Sequence, residues 1–338
     1  MKFENCSLLC YDNAKEKVRR DSMIVNVGGR TDIVNYYSDW LMNRIKEGYA
    51  YSRNPLFTNN VSKISLKPQD VDCFMFCSKN YKPMLSYMKK LNETYRIICH
   101  YTITAYGKDV EPNVPSIEES IRTLIELSKI VGKEKVLWRY DPILLIKQYT
   151  IQKHIETFDY MAKHITPYVQ RCIFSFVEMY KKLEYNMPEI IPMTEKEKKE
   201  IASQLGKIAQ KYGLYIQTCG TDENYEQYGI HLSGCTTAEI LEKANRVKYK
   251  KKRAKGMRKG CHCLPSRDIG AYDTCLNGCK YCYANKRPEL ARENIKWHDK
   301  NSPILLGTLK KTDKITITKP ERLIQDDRLD MIEQICLL

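Results

Sequence analysis

The chain has 338 residues, 43% of them hydrophobic and 29% charged; that is enough for one large α/β domain with an appendage or for two domains, and no apolar run approaches membrane-spanning length. The opening MKFENCSLLCYDNAKEKVRR lacks the basic, apolar and small-residue order of a secretion signal, so a cytoplasmic protein is expected. The net charge is +15, but RVKYKKKRAKGMRK (246–259) holds nine basic residues and no acidic one; with those set aside the balance falls to +6, which argues against a basic nucleic-acid-binding domain.

Residues 1–21 read as an N-terminal extension. From residue 22, short β-rich runs alternate with longer charged segments of helical periodicity. The runs are MIVNV (23–27), VDCFMFCS (71–78), YRIICHYTI (95–103), KVLWRY (135–140), RCIFSFV (171–177) and LYIQTC (214–219). Several are almost continuously apolar, as parallel strands covered on both faces must be. Among the helices, SIEESIRTLIELSKIVG (116–132) opens on a capping box, Ser116 with Glu119, and stops at Gly132. TEKEKKEIASQLGKIAQKYG (194–213) opens on Thr194 and closes on Gly213 in the same way.

This alternation predicts an α/β fold, either doubly wound or a partial, TIM-like βα barrel of about six units. Polar groups at the strand exits favour the barrel, whose C-terminal rim is where sites are built. The expected barrel spans 22–245. A basic linker (246–260) follows it, and then a cysteine-rich iron–sulfur region with a tail (261–338). Rim candidates are Arg30 and Asp32 in GGRTD, Lys79 after the second run, Arg139 and Asp141 in RYDP, and Glu178 in SFVE. Each Arg–Asp couple reads equally as an ion pair or a ligand contact. Thr102, Thr104 and Ser175 line the same cavity if the strand registers hold. The adjacent Gly28 and Gly29 would let an anionic ligand approach the backbone, but they form no complete dinucleotide-binding fingerprint.

Fourteen cysteines in a reducing compartment indicate metal binding more than disulfides. Cys73, Cys77, Cys99 and Cys172 lie in apolar runs and read as small buried hydrophobes; Cys6, Cys10 and Cys336 receive no role. In YDTCLNGCKYCYAN (272–285) the spacing is Cys275-x3-Cys279-x2-Cys282. Three thiolates so spaced can each bind one iron of a 4Fe–4S cluster and leave the fourth iron open to a small chelating molecule. Gly278 permits the tight turn. Cys219, Cys235, Cys261 and Cys263 number enough for a further four-thiolate site, expected to be a second 4Fe–4S cluster that relays electrons to the first. The alternative is structural zinc, with Cys279-x2-Cys282 paired to Cys261-x-Cys263. His262, between two of these cysteines, is a weaker ligand candidate.

The wording TCLNGCKYCYAN, with an aromatic just before the third cysteine, resembles the signature of radical S-adenosylmethionine enzymes, most closely the spore-photoproduct-lyase branch. That resemblance implies Cys275, Cys279 and Cys282 as cluster ligands and Tyr281 near the adenine. It implies S-adenosylmethionine on the open iron, reductive cleavage of its sulfonium, and hydrogen abstraction from a substrate. An electron donor such as ferredoxin or flavodoxin would be needed. In those enzymes the motif follows the first strand; here it follows the sixth, so a C-terminal loop would have to fold back over the barrel mouth. The stretches GGRTDIVNYYSDWLMNRIKEGYAYSRNP, YTITAYGKDVEPNVP, VLWRYDPILL and DIGAYDTCLNGCKYCYAN also resemble an uncharacterised family, domain of unknown function 1848, which supplies no activity. Two other readings stand beside the radical one. The first is an iron–sulfur Lewis-acid or redox enzyme without S-adenosylmethionine; the second is a zinc- or cluster-stabilised nucleic-acid-binding protein.

Overall fold

The computed structural model describes residues 17–251 and 260–326. Most of the N-terminal extension with Cys6 and Cys10, the centre of the basic segment, and the end of the tail with Cys336 lie outside the described residues. In chain order the strands are β1 (Lys17–Ser22), β2 (Ile24–Val27), β3 (Tyr49–Arg53), β4 (Asn60–Ser65), β5 (Cys73–Ser78), β6 (Ile97–Thr102), β7 (Val136–Ile143), β8 (Arg171–Phe176), β9 (Ile216–Thr218), β10 (His231–Leu232), β11 (Lys248–Tyr249), β12 (Arg267–Asp268), β13 (Lys314–Glu321) and β14 (Ile324–Asp326). The α-helices are α1 (Ile33–Tyr36), α2 (Ser38–Glu47), α3 (Leu85–Thr94), α4 (Ile117–Val131), α5 (Ile151–Ile165), α6 (Leu183–Asn186), α7 (Glu195–Tyr212), α8 (Ala238–Asn245) and α9 (Pro288–Asn294).

All six predicted runs are strands, and they lie side by side in one sheet of order β10-β9-β8-β7-β6-β5-β2-β12. Every pairing in that sheet is parallel. From β2 to β10 the neighbours run in chain order, so each crossover has the same sense. The chain then returns across the molecule, and β12 joins the far edge beside β2. Among the described residues no pairing links β10 to β12, so the sheet stays open and the closed ring of a TIM barrel is not formed. It has eight strands rather than about six. The two extra strands, β10 and β12, are two residues long and leave no hydrophobic run to read.

Strand alternation divides the interior. Phe74, Phe76, Ile97, Cys99, Trp138 and Phe174 face a large core shared with the helices. Cys73, Met75, Ile98, Leu137 and Ile173 point the other way, into a smaller core covered by Ile240, Leu241 and Ala244 of α8 and by Tyr249. Of the four cysteines read as buried hydrophobes, Cys73, Cys99 and Cys172 are in these layers, whereas Cys77 is only half-buried and lies in neither; no disulfide joins the described cysteines. β6 is buried at all six positions, which explains its largely apolar character, with His100 and Thr102 as its buried polar members. Both predicted capping boxes form: Ser116 with Glu119 on α4 and Thr194 with Glu197 on α7, each N-cap contributing about 1 kcal/mol.

A second sheet, of order β1-β13-β4-β3, was not legible in the periodicity. It pairs β1 with β13 along residues 17–22 and 316–321, so the start and the tail of the described chain meet.

Candidate metal centres

The cysteine loop folds back over the C-terminal end of β2, where Asn277 reaches Asp32 and Tyr283 reaches the Gly29 carbonyl. Its main anchor is Asp32, which follows β2 and is buried. Oδ1 of Asp32 accepts from the Ser78 hydroxyl (2.7 Å) and the Asn35 amide (3.0 Å), capping α1. Oδ2 accepts from the Lys79 amide (3.1 Å) and from Asn277 Nδ2 (3.0 Å) in the cysteine loop. Burial pushes the Asp32 carboxyl above its ordinary value, while these four donors pull it back. Further ties come from Asn113 Nδ2 to the Leu276 carbonyl (2.7 Å) and Tyr37 Oη to the Thr274 carbonyl (2.6 Å). Lys182 Nζ donates to the carbonyls of Tyr283 (2.6 Å) and Asn285 (2.9 Å). Gly278 has φ +70°, the left-handed conformation expected of the turn.

Cys275 and Cys279 are buried and Cys282 is half-buried. Burial raises the Cys275 thiol, as do the charges of Asp32 and Cys282; the Asn277 and Asp32 amides donate to its sulfur and oppose that. Burial also raises Cys279, followed by Glu111, with Lys79 pulling the other way. The Ala284 amide donates to Cys282 Sγ at 3.3 Å. The three sulfurs stand apart: they do not all fall within 4.8 Å of one another. Nearby, Asn285 donates to the Cys275 carbonyl (2.6 Å), and its own Oδ1 is buried with no hydrogen-bond donor among the described residues.

Beside this loop lies a buried polar network that the sequence did not announce. Lys79 Nζ pairs with Glu111 Oε1 at 2.8 Å, and Thr104 donates to the same oxygen at 2.7 Å. The Tyr281 hydroxyl also donates to Glu111, and Lys79 lies 5.7 Å from the centre of the Tyr281 ring. Burial opposes the Lys79 charge, but Glu111 and then Cys279 hold its pKa above the usual value. Tyr281 is thus buried against Tyr106, at a ring separation of 5.7 Å, whereas Tyr283 is 56% exposed with its hydroxyl on the Gly29 carbonyl. Glu111 is one carboxylate in a polar loop; its only sequence signal was its place in YTITAYGKDVEPNVP, after the third run.

The other rim candidates separate. Arg30 is not the partner of Asp32. Its Nε is 4.0 Å from Asp268 Oδ1 on β12, and its Nη1 donates to Ser52 Oγ at 3.3 Å. Arg139 and Asp141 do pair with each other, and Ser175 donates to Asp141. Glu178 lies exposed outside the rim, accepting from the Tyr180 hydroxyl. The two glycines after β2 are used internally. A Cβ on Gly28 would come within 2.2 Å of the Cys77 carbonyl oxygen, and the Gly29 amide donates to Asp268 Oδ2 at 2.8 Å.

A second thiol group sits on the inner face at the exits of β9 and β10. The Sγ atoms of Cys219, Cys235 and Cys263 all lie within 4.8 Å of one another and could hold a metal ion. Cys235 and Cys263 are 3.4 Å apart, and Cys261 is hydrogen-bonded to Cys263. Within this coupled set the thiol of Cys235 is lowered, first by hydrogen bonds from Cys219 and Cys263, with Arg139 and His100 assisting. The bonds to its neighbours raise Cys263. Cys261 and Cys263 therefore join Cys219 and Cys235, not Cys279 and Cys282 as the zinc pairing supposed. His262 turns outward, 43% exposed and 4.0 Å from Asp222. His100, buried below Cys235, has no hydrogen-bond partner on either ring nitrogen among the described residues.

Fold and centres together define an α/β protein with a large parallel sheet and a cysteine group able to hold a metal. Residues 24–284 match the family described as Domain of unknown function (DUF1848), and the chain belongs to that family. No curated protein matches it. Among solved structures, one titled for the contribution of a disulfide bond to the thermostability of a hyperthermostable endocellulase is similar at 12% identity with a TM-score of 0.30. The alignment covers 52% of this chain and 58% of that one, and a likeness so weak carries no argument about fold or function. No helix among the described residues is long and apolar enough to cross a membrane.

Proposed function

We propose that the protein is an iron–sulfur enzyme in which Cys275, Cys279 and Cys282 hold a 4Fe–4S cluster with one open iron that takes S-adenosylmethionine. The observation that carries this reading is the setting of the triplet. Three buried or half-buried thiols are presented by one short loop anchored at the sheet's rim, and each can take a different iron of a cluster. Backbone amides point at the sulfurs of Cys275 and Cys282, which stabilises thiolate. The sequential strand order supports reading the sheet as a partial βα barrel, with its C-terminal mouth as the active face.

When bound, the cluster supplies the electron that cleaves the sulfonium of S-adenosylmethionine and so initiates hydrogen abstraction; the chain supplies binding, orientation and exclusion of water. Lys79 and Glu111 pair at 2.8 Å beside Cys279 and give the rim a salt bridge within reach of the cluster loop. Arg139, Asp141 and Ser175 form a second polar set on the inner face for a substrate whose identity the residues do not specify. The electron comes from a ferredoxin- or flavodoxin-like donor in the cytoplasm.

Protein purified without oxygen should be brown and contain iron and acid-labile sulfide. With dithionite and S-adenosylmethionine it should yield 5′-deoxyadenosine. Iron and sulfide without that product would replace this reading with a cluster enzyme of Lewis-acid or redox type. Colourless protein lacking sulfide would remove both.

A further inference from the structure

We propose that Cys219, Cys235, Cys261 and Cys263 bind a single tetrahedral zinc ion, not a second cluster, and that this ion fastens the open seam of the large sheet. The seam lies between β10 and β12, the edges that no strand pairing joins among the described residues. The four cysteines come from the segments that flank it. Cys219 directly follows β9, Cys235 follows β10, and Cys261 and Cys263 precede β12.

The flanking segments already touch. The Leu264 amide donates to the Thr236 carbonyl at 2.8 Å, a backbone bond across the gap. Gly234 lies so close to the opposite chain that a Cβ there would be 2.7 Å from the His262 carbonyl carbon and 2.8 Å from the Cys263 nitrogen. Gln217 of β9 fixes the approach by donating from Nε2 to the Gly234 carbonyl at 2.8 Å. Gly260 approaches Thr221 almost as closely, its Cβ position being 2.9 Å from the Thr221 carbonyl carbon, so the two sides meet through scattered contacts where the other strand junctions have ladders. An ion held from both sides would complete the closure.

Sulfur spacing decides the nuclearity. Zinc–thiolate bonds of about 2.3 Å in a tetrahedron set neighbouring sulfurs about 3.8 Å apart. Cys235 and Cys263 are at 3.4 Å, and Cys219 joins them within 4.8 Å. A 4Fe–4S cluster instead places each ligand on a separate iron at a different corner, which spreads the sulfurs well beyond that range. Three of the thiols already stand together, and Cys261, hydrogen-bonded to Cys263 but outside that 4.8 Å group, is the fourth that would swing in to complete a soft all-thiolate set of the kind that suits zinc. Two features add to the fit. His262 is turned to Asp222 in solvent, so the donor set is all sulfur. The half-buried Arg139 guanidinium, with Nε lacking a partner among the described residues, lies close enough to Cys219 and Cys235 to offset part of the tetrathiolate's negative charge.

The test uses the full chain carrying Cys275→Ser, Cys279→Ser and Cys282→Ser, which isolates this site from the proposed cluster. Expected is one zinc per chain, no colour and no acid-labile sulfide. Cobalt(II) exchanged into the site should give the visible bands of tetrahedral thiolate coordination, and Cys235→Ser should abolish them. Zinc removal should increase proteolysis between residues 233 and 266 while leaving far-UV circular dichroism largely intact. Iron with sulfide in the triple variant, or no bound metal, would overturn the proposal. If the triple variant does not fold, the wild-type chain serves, with zinc found beside iron supporting the proposal and iron alone refuting it. Zinc in this site stands or falls independently of 5′-deoxyadenosine formation, so failure of the cluster reading and failure of this one give different results.

Discussion

Asp32 should hold the cysteine loop on the sheet, and Asp32→Ala is the perturbation that measures it. The carboxylate accepts four hydrogen bonds at 2.7–3.1 Å, two per oxygen, from three parts of the chain. Bonds to a charged acceptor contribute about 1.5–3 kcal/mol each, and a lost N-cap costs about 1 kcal/mol. Against this stands relief of the burial that raises the carboxyl's pKa. Ser78 also has an alternative acceptor in the Asn80 carbonyl at 3.0 Å. The Lys79 and Asn35 amides and the Asn277 amide group are left without their acceptor. The balance is a net loss of about 3–4 kcal/mol. A double-mutant cycle with Asn277→Ala isolates the loop contact, and coupling of about 1.5–3 kcal/mol is expected. Urea unfolding of anaerobic protein, followed by circular dichroism, reads both quantities. Iron content of Asp32→Ala should fall in parallel, because the loop would no longer be registered on α1. A loss below about 1 kcal/mol with no coupling would show that the loop is held elsewhere and that Asp32 is not its anchor.

Three further outcomes follow from the geometry. Glu111→Gln leaves the Lys79 ammonium buried beside Cys279 without its counter-charge, so stability should drop by about 3–5 kcal/mol; the paired change Lys79→Met with Glu111→Gln should cost less than Glu111→Gln alone, and an equal or larger cost would argue that the pair is not coupled. Gly278→Ala places a side chain at φ +70°, worth about 1–2 kcal/mol, and should lower iron retention more than global stability; unchanged iron would mean the turn does not constrain the ligands. His154 is buried, its Nδ1 accepting from the Tyr140 hydroxyl and its Nε2 donating to the Leu144 carbonyl, both at 2.8 Å. Burial holds its pKa down to about 4, from 6.5 when exposed. The unfolded chain therefore binds the extra proton first, and stability falls as pH drops from 6.5 towards 4. At pH 5 the loss from this group is about 2 kcal/mol relative to pH 7; urea midpoints at the two pH values check it, and a His154→Gln protein should show a shallower slope.

What could be read from the sequence was what local chemistry encodes. Nearly continuous apolar runs marked the six central strands, because a buried parallel strand needs both faces largely apolar. Ser116 with Glu119, and Thr194 with Glu197, marked helix starts because a cap is satisfied within four residues. The grouping of Cys219, Cys235 and Cys263 was recoverable from the count of cysteines left over and from Cys219 standing at a strand exit. The partner of Arg30 was not, since Asp268 arrives from the opposite end of the chain on a two-residue strand. Glu111 was invisible for a similar reason: one acidic residue in a loop acquires meaning only when Lys79, Thr104 and Tyr281 converge on it. Ligand spacing along the chain counts thiolates but does not set their separation in space, so the choice between one ion and a cluster required the sulfur positions.

The proposed open iron is best probed by electron paramagnetic resonance of the dithionite-reduced, oxygen-free protein, recorded before and after adding S-adenosylmethionine. A reduced-cluster signal that changes shape on addition, and that disappears when Cys275, Cys279 and Cys282 are replaced by serine, is the predicted result. A signal indifferent to S-adenosylmethionine, or one that survives loss of the three cysteines, would contradict it.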